Sequence, residues 1–184
     1  NVMSIDCMLI THCHADHVYG LDDVRIYSRE KKIPVYADVD TVSELKKIFP
    51  YVFKRTQKSG GKPRLKLASV EKPFIVLGFC VTPLPVLHGS KKIFGWRIGS
   101  VAYIPDTSRI PEKTFSLLEN LDIFILDGLR KEPHPTHITL TDAVEIAGRV
   151  GAKRTYFTHI SHNLQHKKTD SELPKGMHIA YDGL

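Results

Sequence analysis

The sequence predicts an α/β fold (α+β layered) in a single domain. Short apolar runs closed by Gly, Pro or His recur along the 184 residues, as buried strands do. Between several of them the apolar residues fall at helical spacing instead. The composition, 42% hydrophobic and 25% charged, is that of a soluble globular protein of about one domain's length. No apolar run approaches the roughly 20 residues that span a bilayer.

Ile5 to Ile10 reads as a central strand, apolar on both faces. Val18 to Lys31 carries Leu21, Val24, Ile26 and Tyr27 at helical spacing, so a helix is expected there. Val35 to Ala37 is a short strand. Asp40 caps a helix running through Leu45 and Ile48, which Pro50 stops. Gln57 to Pro63 is a basic surface loop. A β-rich stretch follows: Lys66–Val70, Phe74–Leu77, Cys80–Leu87, Phe94–Ile98 and Val101–Ile104, with Gly78, Gly89, Gly95 and Gly99 as turns or bulges. Pro111 to Leu121 is helical, with proline in its first turn. Asp122 to Leu126 is another buried strand. Thr139 and Asp142 form a capping box for a helix that buries Val144, Ala147 and Val150 and ends at Gly151. Lys153–Phe157 and His178–Tyr181 complete the strands.

The chemistry collects at Thr11-His12-Cys13-His14-Ala15-Asp16-His17, where the first strand gives way to a loop. Imidazole and carboxylate are ligands that zinc, manganese and iron accept. His12 and His14, two apart in extended chain, point the same way, while Asp16 and His17 can face a second ion. Three further candidates each follow an apolar strand: His88, Asp106 and His159. Ligands that gather in space come from strand ends on one sheet edge. Taken singly, His88 could be a surface turn residue, Asp106 the start of a turn with Thr107 and Ser108, and His159 a core histidine. Together the seven suffice for two adjacent ions.

The formal charge of +6 favours anionic ligands through the overall field, but the Lys and Arg residues are spread along the chain. Cys7, Cys13 and Cys80 show no disulfide spacing, which points to a reducing cytoplasm. Residue 1 is Asn, with strand-like sequence soon after it, so the chain reads as lacking its natural beginning.

The order H-x-H-x-D-H, then His, Asp and His, resembles the metallo-β-lactamase superfamily over the whole chain. The resemblance implies an αββα sandwich, here residues 1–184 as the carboxy-terminal two-thirds of that domain and incomplete at the amino terminus. It implies that His12, His14 and His88 bind one ion and Asp16, His17 and His159 the other. Asp106 and a water or hydroxide would bridge them. Leu126-Asp127-Gly128-Leu129-Arg130, His134-Pro135-Thr136-His137, Thr158-His159-Ile160-Ser161-His162 and Gly20-Leu21-Asp22-Asp23-Val24-Arg25 look like the phosphoribosyl 1,2-cyclic phosphate phosphodiesterase group. That group, and the related tRNA 3′-processing endonucleases, carry an extra histidine matching His137. An imidazole there can serve the alkoxide that a phosphodiester expels; the alternative is a loop histidine bonded to Thr139. In that group the counterpart of His162 completes a structural zinc site with amino-terminal cysteines, a C-x-C-x-x-C element that this sequence does not contain.

The expected activity is metal-dependent hydrolysis of a small, cyclic phosphodiester, with Asp16 and His137 as catalytic groups. The expected cofactors are two divalent ions (manganese, zinc or iron), and one structural zinc if a missing segment supplies the cysteines. Expected partners are the phosphodiester and a second copy of the chain, with no membrane. The alternatives are a nuclease acting on RNA or DNA ends through the basic stretch Lys54–Lys66, and a non-catalytic metal-binding or partner-binding module. Arg25 could meet a substrate phosphate or pair with Asp22. Cys13 is expected to be structural, and His134, His166 and His178 to lie on the surface.

Overall fold

A computed structural model describes residues 2–54 and 61–184, which fall into two compact units, Asn1–Lys72 and Pro73–Leu184. Of the basic loop expected at Gln57–Pro63, residues 57–60 lie outside the described residues.

The first unit holds β1 (Met8–Leu9), α1 (Ala15–Val18), β2 (Ile33–Ala37), α2 (Val39–Ile48), α3 (Pro50–Phe53) and β3 (Leu65–Ser69). The strands form a parallel sheet in the order β1-β2-β3, so β1 lies at an edge, not in the centre. Its pairing is short: only Met8, Leu9 and the Ile10 N–H, which donates to Tyr36 O, join β2, while Asp6 pairs with Lys31 (3.0 Å). The helix expected over Val18–Lys31 is instead two 3₁₀ turns, Tyr19–Leu21 and Asp23–Ile26, with Ile26 exposed. Gly20 and the adjacent Asp22 and Asp23 favour turns over a continued helix. The cap of α2 is Asp38, whose carboxylate accepts the N–H groups of Asp40 and Thr41. Asp40 therefore belongs to the first turn, where its charge still suits the helix dipole. Pro50 ends α2 and takes the first position of α3. Ile33, Val35, Ala37 and Leu45 are fully buried in this unit's core, each large aliphatic contributing about 1.5–3 kcal/mol.

The second unit is built on a seven-stranded sheet: β4 (Phe74–Val76), β5 (Phe79–His88), β6 (Lys91–Ile98), β7 (Val101–Ile104), β8 (Ile123–Asp127), β9 (Arg154–Thr158) and β10 (Met177–Ile179). Its order is β10-β9-β8-β7-β6-β5-β4. The pairs from β4 to β7 are antiparallel and those from β7 to β10 parallel. It follows that β5, β7, β8 and β9 all run the same way and end at one edge of the sheet. The helices are α4 (Glu112–Phe115), α5 (Leu140–Val150) and α6 (His166–Glu172).

The helical stretch expected from Pro111 is shorter, α4 passing into a 3₁₀ turn at Ser116–Leu118, and Pro111 is its N-cap. The capping box of Thr139 and Asp142 forms, and Gly151 closes α5 at φ 65°. The buried face of α5 is Leu140, Ala143 and Ala147, while Val144 and Val150 pack at its margin. The α6 segment carries no apolar periodicity, and only Thr169 is buried on it. Gly95 is not a turn but lies inside β6, where an added Cβ would meet Tyr103 O at 2.6 Å and Ile104 Cγ1 at 2.7 Å. No helix among the described residues is long and apolar enough to cross a membrane.

Backbone oxygen cannot move aside as a flexible side chain can. Gly95→Ala should therefore lower unfolding free energy by about 1–3 kcal/mol, read from the urea midpoint. An unchanged midpoint would contradict the close β6–β7 approach.

Candidate metal centre

In the first unit the chain leaves β1 into Thr11 and His12, both buried. His14 sits at the N-cap of α1 in extended conformation (φ −66°, ψ 152°) and makes no capping hydrogen bond, so its imidazole is not spent on the helix. Val18 and Leu21 anchor this turn in the unit's core. The His12 ring lies 4.6 Å from that of His14 and 4.3 Å from that of His17. Asp16 is exposed, with Oδ2 3.3 Å from His17 Nε2. Cys13 points away, its thiol donating to Thr41 O. The H-x-H-x-D-H stretch thus gathers its three rings around His12.

In the second unit, the common direction of four strands brings their ends together. His88 closes β5, Asp106 follows β7, Asp127 closes β8 and His159 follows β9. His88 is 5% exposed, which rules out its surface-turn reading, and Asp106 is buried at 1% exposed. His88 Nδ1 is 2.8 Å from Thr136 O. A carbonyl only accepts, so Nδ1 carries the proton and Nε2 keeps its lone pair. That Nε2 is 3.9 Å from Asp106 Oδ2. His137 Nε2 lies 3.9 Å from the same oxygen, and His159 Nε2 3.7 Å from Asp106 Oδ1. These separations exceed a hydrogen bond yet fall short of two metal–ligand bonds end to end, about 4.2 Å. Ligand atoms of Asp106, His137 and His159 all lie within 4.8 Å of one another, a set that could hold a divalent cation.

His159 adopts φ 59°, a left-handed conformation that a non-glycine residue rarely takes. Strain of this kind, about 1–3 kcal/mol, collects at functional positions. His159 is therefore no ordinary core histidine: its side chain is 25% exposed and aimed at Asp106.

His137 does not bond Thr139, which is engaged in the capping box with Asp142. Its Nδ1 lies 2.7 Å from Asp127 Oδ2, which also accepts the Thr107 N–H at 2.9 Å. Burial pushes the Asp127 carboxyl above the usual carboxylate range, against the opposing pull of its bonds to His137 and Thr107. The loop carrying His137 is pinned throughout. Ile138 N–H donates to Thr107 O, Leu140 N–H to Arg130 O and Ser161 N–H to Leu129 O. The Arg130 guanidinium donates to Glu132 O and Pro133 O. A Cβ at Gly128 would meet Phe157 Cβ at 3.0 Å, so this strand end passes β9 closely.

Two residues escaped the sequence reading. Asp127 obeys the same rule as His88 and Asp106, a polar residue closing an apolar strand, although the apolar run itself ends at Leu126. His134, expected on the surface, is half-buried with its ring 5.0 Å from that of His137. His166 and His178 are exposed as expected. His162 is exposed and joins no metal-capable cluster among the described residues. All three cysteines are free thiols. Arg25 pairs with Asp22 (2.5 Å) and Asp23 (3.7 Å), the ion-pair alternative. The Tyr51 hydroxyl also donates to Asp22, and burial with that bond pushes the phenol up to about 12.

The β-lactamase superfamily domain matches residues 1–160. A diphosphatase from the PhnP family is 41% identical, with a TM-score of 0.90 over 100% of this chain and 71% of that one. YhfI from Bacillus subtilis, a metallo-β-lactamase fold protein, is 21% identical with a TM-score of 0.78, covering 98% of this chain and 76% of that one. Zinc-bound PqqB from Methylobacterium extorquens is 19% identical with a TM-score of 0.73, covering 98% and 72%. An octanoyltransferase of Porphyromonas gingivalis is 34% identical over 98% of this chain, which spans only 37% of that protein's length. With its histidine and aspartate clusters at strand ends, the chain belongs to the β-lactamase superfamily and shares the mixed α/β fold of its metal-dependent hydrolases.

Proposed function

We propose that this chain is a dinuclear metal-dependent phosphodiesterase acting on a small, cyclic phosphodiester. The observation that carries the reading is Asp106, 1% exposed, with the Nε2 atoms of His88, His137 and His159 at 3.7–3.9 Å. The imidazoles of His88 and His159 with this buried carboxylate form a donor set suited to a divalent cation, and His137 stands beside it. The ligand roles follow the family resemblance: His12, His14 and His88 for one ion, Asp16, His17 and His159 for the other, Asp106 for both. Two such ions, manganese, zinc or iron, would supply an acidified water and charge neutralisation for the phosphoryl oxygens.

The chain's own groups do the rest. The bond from His88 to Thr136 O fixes which ring nitrogen is offered. Asp16 is exposed and can accept a proton from the attacking water. His137, with a side chain 8% exposed, presents Nε2 beside Asp106, where a leaving oxygen would be met.

A second reading, a diphosphate substrate, is favoured by the 41% identity to a diphosphatase. The phosphate expelled from a diphosphate is a weak base and needs little protonation, whereas an alkoxide needs a donor, so the placement of His137 supports the diester. Nuclease action draws less support. Of the basic stretch Lys54–Lys66, Lys62 donates to Tyr51 O and Lys54 O, and Arg64 to Arg29 O, turning both side chains back onto the chain. Residues 55–60 lie outside the described residues. The octanoyltransferase likeness concerns a protein of which the chain spans 37%.

Turnover of bis-p-nitrophenyl phosphate should disappear with a chelator, return with manganese, and fall by at least about 100-fold in both His12→Ala and Asp106→Ala. Chelator-resistant turnover would sink the metal mechanism. In direct competition, a ribose cyclic phosphate should exceed a short RNA and a dinucleoside diphosphate in kcat/KM by on the order of 100-fold. Faster turnover of either rival would replace the substrate class proposed.

A further inference from the structure

The α6 helix is not held by apolar packing, since its one buried residue is Thr169. His166 and Asp170, one helical turn apart on it, instead line a cleft of about 230 Å³ together with Tyr156, His178, Ile179 and Tyr181. Aliphatic residues would serve a purely structural helix better, and a place where the packing rule is broken points to binding. None of the six residues belongs to a metal-capable cluster among the described residues.

Two pairs of rings stand in the cleft. The register of β9 and β10 sets His178 beside Tyr156, with centroids 5.9 Å apart and planes tilted by 34°. His166 and Tyr181 form the other pair, 6.1 Å apart and T-shaped. Both spacings are those of interacting rings. Ile179 is buried between strand and helix, and its N–H donates to Asp170 Oδ1 at 2.8 Å. The same oxygen is 3.6 Å from His178 Nδ1, beyond a hydrogen bond. A single backbone bond leaves most lone pairs of an ionised carboxylate unused.

Aromatic walls suit a flat ligand with a π-face. A carboxylate accepts and never donates, so that ligand must carry N–H groups on its edge. The cleft is smaller than the roughly 300–1,000 Å³ that drug-sized ligands fill, which suits one ring system. Guanine meets these conditions, because N1–H and the N2 amine are adjacent and a carboxylate can take both at once. Adenine would turn an acceptor nitrogen to the carboxylate, lone pair against lone pair. We propose that the cleft between α6 and β10 binds the guanine base of a free nucleoside, stacked on the tyrosine and histidine rings, with Asp170 reading its edge.

The test titrates the full chain with guanosine by calorimetry, since guanosine has no phosphate to reach a metal centre. Guanosine should bind once per chain. Inosine, which keeps N1–H but lacks the N2 amine, should bind about 10-fold more weakly, and adenosine on the order of 100-fold more weakly. Tyr181→Ala and Asp170→Asn should each weaken guanosine by about 10-fold, with the urea midpoint of the exposed Tyr181→Ala variant unchanged. A guanine-rich RNA should not displace guanosine. The absence of heat with guanosine at about 1 mM would overturn the proposal. So would adenosine binding as tightly, an affinity that Tyr181→Ala leaves unmoved, displacement by the RNA, or a zinc ion lost with His178→Ala. Should Asp170→Asn fail to fold, the nucleoside series and Tyr181→Ala still decide.

Discussion

Two carboxylates, Asp106 and Asp127, are buried at the end of neighbouring parallel strands, and much of the second unit is arranged to make that tolerable. An isolated buried carboxylate costs several kcal/mol, so positive charge or hydrogen bonds must meet it. Asp127 is met by the Thr107 N–H and His137. Asp106 faces three imidazole nitrogens at distances longer than a hydrogen bond. A divalent cation is the natural complement of this carboxylate with the His88 and His159 nitrogens. The sheet supplies the geometry. Because β5, β7, β8 and β9 share a direction, residues far apart in sequence emerge at one edge without special loops.

Several features give up local stability for this arrangement. His159 holds a left-handed backbone that glycine or asparagine would adopt more readily. Gly128 leaves no room for a side chain beside Phe157, and the Arg130 guanidinium is committed to two carbonyls of its own loop. These sites concentrate around His137 and His159, as expected where function rather than packing sets the residue. The compensation lies in the core beneath, where Phe124, Leu126, Ile104 and Phe157 are fully buried in strands β7 to β9.

The strands of the second unit are legible in the sequence because they are near-continuous apolar runs with polar closures. The rule that flagged His88, Asp106 and His159 is that a polar residue ends such a run, and Asp127 fits it too. Its position is hidden because Asp127 is itself paired in β8, one residue beyond the apolar run. Local chemistry also marked the α5 ends well, since Thr139, Asp142 and Gly151 act through near neighbours. The reading was weaker where tertiary context decides. Leu21, Val24 and Ile26 have helical spacing, yet Gly20 and paired aspartates break the segment into 3₁₀ turns. Ile5 to Ile10 looked central, but pairing begins only at Met8. Asp38 and Asp40 are both plausible caps by type, and only backbone geometry chooses Asp38. No apolar period announces α6, whose single buried residue is Thr169. The bond between His137 and Asp127 spans ten residues of loop, which no spacing rule could supply.

The claim beneath all of this is that the buried Asp106 and its imidazoles exist to hold a divalent cation. The most direct measurement is thermal unfolding of the metal-free chain on addition of manganese or zinc. A cation at 100 times its dissociation constant adds about 2.7 kcal/mol, which for a chain of this size raises Tm by roughly 5–10 °C. The rise should be largely absent in Asp106→Asn. A wild-type Tm indifferent to either metal, or an equal rise in Asp106→Asn, would contradict the account.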